Sequence, residues 1–455
     1  MNGTKPVLWA AALALALGGL NAAAQVPAPD PAPALGPAVT VTIDEAISRA
    51  KANNALLQAA RADVQAKEGQ FKEARSYFLP NLSFSENYSR TNNPVYVFMG
   101  KLTQANFGMQ DFYIPSLNNP EPLTNFQSRV EVTFPLFTGG KLTAAYRATK
   151  LGIDAARSKG DFAEASVVKG VTEAFYGSLL AQQAAGVMQE AVKTAQAHQK
   201  QVEAMYKQGL VLDSDLLRIR VFAADMAQQA SARAADAQVA RAYLGYAMGT
   251  EQDVDPKGDF TLPAADLPPL EEAEKAALEG RGDLKSMALQ TQQAEQGVKM
   301  SRADYWPQVG VMAAYEQDTQ RWTKAAWGDN WMLGVQVKIP IFDGGARAGR
   351  VETARAQQLQ AQQALLDLQQ KARVEAKAAW LRAKSAAERV AVTTDSEAQA
   401  KENQRIVALR YNEGLATITD LLDADMALTS ASLTRAQAIH DEIVERARLT
   451  WAMGK

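Results

Sequence analysis

The chain has no cysteine and only 2 histidines among 455 residues. The first absence excludes disulfides, thiolate-held metals, a thiol nucleophile and the acylated cysteine of a lipoprotein. His198 and His440 have no ligand-spaced neighbours, so both read as helix-surface or seam residues rather than metal ligands. Charge of one sign is also lacking: the formal net charge is -2, which leaves no electrostatic footprint for nucleic acid. The chain shows no nucleotide loop, nucleophile elbow or metal-hydrolase helix, so neither an enzyme nor a cofactor is expected. Past the N-terminus no apolar run reaches the roughly 20 residues that a membrane-spanning helix needs.

The N-terminus carries a shorter apolar run. Lys5 precedes Val7 to Leu20, and Ala22-Ala23-Ala24 offers a small-residue cleavage site. Residues 1–24 therefore read as a signal peptide, and the Pro/Ala-rich residues 25–41 as an extended linker. The mature chain is then periplasmic, secreted, or inserted in an outer membrane as strands.

What the chain has in quantity is helix formers: long stretches of Ala, Gln, Glu, Lys and Arg with few prolines or aromatics. Two such stretches meet at Tyr411-Asn412-Glu413-Gly414-Leu415-Ala416-Thr417. Gly414 can take the left-handed backbone that ends a helix, and Thr417 or Thr419 can cap the next one. Tyr206-Lys207-Gln208-Gly209-Leu210 is an earlier copy of the same tip. Other landmarks recur in the same order. Leu79-Pro80 matches Trp306-Pro307, and Phe134-Pro135-Leu136-Phe137-Thr138-Gly139-Gly140 matches Ile339-Pro340-Ile341-Phe342-Asp343-Gly344-Gly345. Anchors in one order, with length differences confined to loops, indicate internal duplication. The first repeat spans 42–249, a Pro/Asp-rich connector 250–269, and the second repeat 270–455.

Each repeat reads helix, strand, strand, long helix, short turn, long helix. The first helix should open at Thr42, with Glu45 completing a capping box, and run to about Tyr77. The longest pattern, Lys141 to Gln208, would extend on the order of 100 Å. In the second copy Ala361, Leu365, Leu368, Ala372, Ala376 and Ala379 open a narrow seam with three-four spacing, as in a coiled coil. Strands alternate: Leu82, Phe84 and Tyr88 share a face, and Val130, Val132 and Phe134 oppose Arg129, Glu131 and Thr133. Val309, Val311 and Tyr315, then Trp331, Leu333 and Val335, repeat the pattern. Asn92 to Asn125 reads as a loop, and Trp322, Trp327 and Trp331 suit an interfacial girdle. Four strands cannot close a barrel alone, and open sheet edges are forbidden in a bilayer. Copies from other subunits must complete it, or the strands form a soluble hairpin in a coiled-coil or surface-adhesion protein.

The duplicated strand-to-helix corners and the Tyr-x-x-Gly-Leu tips resemble those of the TolC family of outer membrane efflux proteins, over roughly Thr42 to Lys455. The resemblance implies a mainly α chain with a membrane β-barrel portion. In a homotrimer, four strands per chain would close a twelve-stranded barrel in outer membrane lipid, continued by a helical periplasmic tunnel. It implies a passive exit duct for efflux or type I secretion, docked to a periplasmic adaptor protein and an inner-membrane RND, ABC or MFS pump. It places Asp420 and Asp423 at the narrowed periplasmic end, sharing a helix face. It also makes Ser214, Asp215 and Tyr411 hydrogen-bonding residues of the closed gate. The chain departs at Ala416, where relatives carry a closing arginine.

Overall fold

The structure is a computed structural model that describes residues 39–258, 260, 266–322 and 328–455. The expected signal peptide, most of the linker and Trp327 lie outside the described residues.

The linker's last residues are not loose. Val39–Val41 form strand β1, which pairs in parallel with β4 (Val254–Pro256) from the connector, Val39 opposite Val254. Val41 and Val254 sit in a core with Phe175, Leu244 and Met248.

Helix α1 (Ile43–Asn53) begins with the expected capping box: the Thr42 backbone N–H donates to Glu45 Oε2 at 2.9 Å. The helix does not continue to Tyr77. Asn54 takes an extended backbone (φ -63°, ψ 125°), and its side-chain oxygen accepts from the Leu56 N–H at 2.9 Å, capping α2 (Ala55–Ser76). An asparagine that bonds its own backbone competes with the helix ladder, and here it divides the helix in two.

Asn92 to Asn125 is not a loop throughout. It holds α3 (Pro94–Thr103), a 3-10 turn at Met109–Phe112 and α4 (Ile114–Asn118). Asn93 caps α3, and proline occupies its first position, where a missing N–H costs nothing. Phe98, Phe107 and Phe112 stack edge to face, at 4.9 and 5.2 Å between neighbouring centroids. Lys101 Nζ meets Asp111 Oδ1 at 2.6 Å.

Four antiparallel strands form one sheet in the order β2-β3-β5-β6: β2 (Asn81–Thr91), β3 (Leu123–Phe137), β5 (Gln308–Thr319) and β6 (Gly328–Lys338). Phe84 lies opposite Val130, Val130 opposite Tyr315, and Tyr315 opposite Trp331. Facing residues share a side, so that row is apolar. The next row, Ser85, Arg129, Glu316 and Asn330, is polar. Arg129 bridges Glu316 at 3.0 Å and Glu131 at 2.6 Å on the polar side. Trp322 rests edge-on against Phe126 near the far end of the sheet, and both Trp322 and Trp331 are exposed.

The corners turn strands into the long helices. Pro80 and Pro307 precede β2 and β5, and Pro135 sits where the β3–β5 register shifts. Gly139 and Gly140 (φ 65° and 84°) lead into α5 (Lys141–Lys207), and Gly344 and Gly345 (φ 65° and 88°) into α9 (Ala346–Asn412). Only glycine takes such angles without strain. At the second corner Arg347 donates to the Pro340 carbonyl at 2.7 Å and to Asp343 Oδ2 at 3.0 Å.

Both long helices have 67 residues, so each extends about 100 Å. Their return partners are α6 (Asp213–Met248) and α10 (Ile418–Ala452). The shorter α7 (Leu270–Gly280) and α8 (Gly282–Ala303) precede β5 as α1 and α2 precede β2. Ala372, Ala376, Ala379, Ala383 and Ala386 of the expected seam are buried, where α9 packs on α7, α8 and α10. Ridges this small let helix axes approach closely. Among the described residues no helix is long and apolar enough to cross a membrane.

Candidate functional site at the hairpin tips and the sheet

At the tips the two repeats share one geometry. Gly209 has φ 75° and Gly414 φ 73°. The Leu210 N–H reaches back to the Met205 carbonyl at 3.0 Å, and the Leu415 N–H to Arg410 at 2.8 Å. Those bonds satisfy the last carbonyls of α5 and α9. Leu210 and Leu415 themselves are exposed. Beneath them Val202, Leu216, Ile219, Tyr411, Ile418, Leu421 and Leu422 form a core joining both hairpins.

Thr417, not Thr419, caps α10. Its hydroxyl accepts from the Asp420 N–H at 3.2 Å, and Asp420 Oδ2 accepts from the Thr417 N–H at 2.8 Å and hydroxyl at 2.7 Å. The Thr417 backbone and hydroxyl bonds hold the Asp420 carboxyl below its ordinary value. A ring of like charges would push it the other way. Asp423 is exposed and makes no side-chain bond among the described residues. In a single chain, then, the two expected gate carboxylates differ: one is engaged by the helix end and the other is free.

Tyr411 is buried, and its hydroxyl finds no hydrogen-bond partner among the described residues. Burial first, and then the negative charge of Asp215, push its phenol above its ordinary value. Asp215 is half-buried beside it, and Ser214 is exposed.

Several residues that the sequence reading passed over tie the hairpins together. Arg218 on α6 donates to the Thr419 hydroxyl on α10, and Gln201 on α5 to Asn412 on α9 at 2.7 Å. One turn deeper, Asp425 is buried: Gln404 donates to its Oδ1 at 2.9 Å, and His198 Nε2 lies 3.1 Å from its Oδ2, not aligned for a hydrogen bond. His198 is thus a seam residue, while His440 lies 3.3 Å from its neighbour Asp441. The partners Arg218–Thr419, Gln201–Asn412 and His198–Asp425 are each more than two hundred residues apart in sequence, and no local spacing announces them.

One side of the sheet carries apolar rows, broken by the row Glu86, Ser128, Gln317 and Asp329, the other side is mainly polar, and the strands lead through glycine corners into helices about 100 Å long. The chain belongs to the outer membrane efflux protein family, whose model matches residues 46–250 and 274–455. It is similar to the outer membrane efflux protein BepC of Brucella suis biovar 1, 24% identical over 420 residues, 92% of this chain and 86% of that protein. It also resembles protein CyaE of Bordetella pertussis, 26% identical over 351 residues, 75% of this chain and 68% of that one. Among solved structures, the Campylobacter jejuni CmeC outer membrane channel superposes with TM-score 0.80 at 18% identity, covering 90% of this chain and 85% of that one. The open state of the Neisseria gonorrhoeae MtrE channel gives TM-score 0.74 at 18% identity, covering 90% and 88%. The protein is therefore a non-enzymatic channel-tunnel for efflux or secretion, located in the outer membrane with a long periplasmic helical part. Family membership sets aside the surface-adhesion alternative.

Proposed function

We propose that three copies of this chain form a passive exit duct: their sheets close a twelve-stranded barrel in outer membrane lipid, and their helices form one periplasmic tunnel. The observation that carries this reading is a sheet with apolar rows on one side, whose outer strands, β2 and β6, each have a partner on one side only among the described residues. Unpaired backbone groups are too costly in a bilayer for such edges to stay open. The apolar face then meets lipid, and the polar face with Arg129 and Glu316 lines the lumen.

At the other end the exposed leucines of the tips, Leu210 and Leu415, offer apolar contacts to a periplasmic adaptor. An inner-membrane pump of RND, ABC or MFS type behind that adaptor would supply the energy. Asp420 and Asp423 form the periplasmic gate, with Ser214, Asp215 and Tyr411 around it, and rings of carboxylate attract cations. Of the pair, Asp423 is the stronger candidate for a pore-facing charge, because its carboxylate is free.

The test is purification in detergent, native mass spectrometry and single-channel recording in planar bilayers. Three-chain particles that conduct, and that divalent cations added on the periplasmic side block, are expected. Replacing Asp420 and Asp423 by Ala should relieve the block. A folded, membrane-inserted monomer would sink the duct, and equal block in both proteins would sink the gate.

A further inference from the structure

The ties between the two hairpins near their tips differ in kind. Arg218 with Thr419 and Gln201 with Asn412 join groups whose charge does not change near neutral pH. His198 on α5 and Asp425 on α10 meet across the same divide. Imidazole is the side chain whose charge ordinarily changes between about pH 5 and 8. The pair lies between two apolar layers. On α5, His198 falls between Ala195 and Val202; on α10, Asp425 falls between Leu422 and Leu433. Val202 and Leu422 belong to the tip core, and Ala195 and Leu433 to the next core along, with Met188, Ala223 and Met226. Side-chain exposure is 15% for His198 and 9% for Asp425.

The pair is unfinished. His198 Nε2 and Asp425 Oδ2 are 3.1 Å apart and both buried, yet neither atom makes a hydrogen bond among the described residues. Gln404 of α9 holds only the other carboxylate oxygen, at 2.9 Å. A buried carboxylate with an unpaired oxygen is costly, and a positive charge beside it relieves that cost. The charged groups around the pair are engaged with other partners or stand at the surface. Arg220 of α6 pairs with Glu203 of α5, and Arg435 of α10 with Glu397 of α9. Glu190 of α5 pairs with Lys193, and Asp215 of α6 faces Tyr411 nearer the tip. Lys401 of α9 is exposed, on the wall of a cavity of about 880 Å³ that Asp425 and Gln404 also line. To the two layers themselves α6 contributes apolar side chains, Ile219 to one and Met226 to the other. The group placed to answer the Asp425 charge is therefore the imidazole.

We propose that His198 and Asp425 form a proton-operated tie between the hairpins. A proton taken from solvent onto the imidazole leaves a cation facing Asp425 Oδ2, and a small turn of either side chain then makes a charge-assisted hydrogen bond. That bond fixes α5 to α10, and so the first hairpin to the second. When the proton returns to solvent, a neutral imidazole faces the carboxylate and the attraction at this level falls away. The tie is complete on the acid side of the imidazole range and is lost as pH rises through it. Shielding from water makes such a pair stronger than the same pair at a surface. The inference rests on the proposed gate, because Asp420 and Asp423 stand on the same helix, within about one and a half turns of Asp425. Tying the hairpins there steadies the gate carboxylates, so the duct conducts less as its periplasmic side turns acidic.

Amide exchange of the full-length protein in detergent, read by mass spectrometry on peptides covering residues 195–205 and 418–428, tests the tie. His198→Gln keeps a polar side chain and cannot take the charge. Comparing the two proteins at the same pH cancels the intrinsic pH dependence of exchange. At about pH 8 they should exchange alike, and at about pH 5.5 the wild type should be slower by about tenfold, the least that a bond to a charged group confers. Asp425→Asn should behave as His198→Gln does, and the double variant should add nothing further. A ratio of wild type to variant that is the same at both pH values makes the pair ordinary packing and overturns the tie. Single-channel recording separates the tie from the gate. Wild-type opening should fall when the periplasmic side is acidified over the same range, and that of His198→Gln should stay level. A pH-dependent exchange ratio with a level wild-type current keeps the tie and overturns its link to the gate. A constant exchange ratio, in a channel whose cation block still depends on Asp420 and Asp423, overturns the tie and leaves the gate standing.

Discussion

Asp420 shows how one side chain divides between a structural and a functional reading. Its carboxylate closes the capping box on Thr417. Thr417→Ala should therefore loosen the first turn of α10 by about 1 kcal/mol, while Thr419→Ala removes no cap and loses only the Arg218 tie; amide exchange at Leu421, whose N–H donates to the Thr417 carbonyl, distinguishes them. The pH dependence follows from the same bonds. Because the folded Asp420 carboxyl is held below its ordinary value, its contribution is complete above that ordinary value. It is lost as pH falls through the lowered one. Amide exchange in the first turn of α10 should quicken on acidification, and Asp420→Asn should flatten that dependence.

Arg281 is a second residue with a definite cost. Its side chain is 2% exposed, bridges Asp283 at 2.8 Å and Glu375 at 2.6 Å, and lies over the Trp451 ring at 5.2 Å. Burial pulls its guanidinium down, but the two carboxylates outweigh that and raise it overall. Arg281→Met should cost about 3 kcal/mol, the low end for breaking a buried pair, because Glu375 keeps some contact with water. Arg281→Lys should recover little, since it lacks the planar fork that meets both acids. Thermal melts in detergent would show both effects; a melting point unchanged in Arg281→Met would contradict them.

Among the elements, the two corners make the sharpest comparison. Both glycines have left-handed backbones, so alanine is strained at either by about 1–2 kcal/mol. Gly139→Ala adds a collision with Ala303 and Trp306 inside the chain and should prevent the sheet from seating. A Cβ on Gly344 would meet nothing within 4 Å, so Gly344→Ala should cost that strain alone and leave helicity intact by circular dichroism. Equal losses of folded protein at both corners would contradict the comparison. The corners, tips and strand faces were legible because each rests on a local rule: a glycine angle, a proline stop, or a period of two. The folded segment from α3 to α4 was not, since short helices rich in Asn and Pro look like loop until Phe98, Phe107 and Phe112 are seen together. Nor was the break at Asn54, where the apolar spacing continues across the cap. The ties from Arg218 to Thr419 and from His198 toward Asp425 join segments about two hundred residues apart, beyond any periodicity argument.

For the whole molecule, the sheet's far end and the hairpin tips lie at opposite ends of helices about 100 Å long, so in the proposed duct they face opposite sides of the outer membrane. Met109, 84% exposed in the segment between β2 and β3, should react as Met109→Cys with an impermeant thiol reagent added to whole cells. Leu415→Cys at the tip should react only after the outer membrane is opened. The reverse pattern would invert the molecule.

The pairing of β1 with β4 has a consequence for the order of events in folding. Val39 and Val254 are neighbours in space, with the first sheet hairpin and the first long helical pair between them in sequence. A chain made from its N-terminus releases β1 early, and β1 has no partner until the connector follows. Closing so long a loop is slow and costs entropy before any contact repays it. The strap at the middle of the molecule therefore acts as a late latch: the first repeat can seat its own helices beforehand, but its leading strand locks only when the second repeat is about to begin.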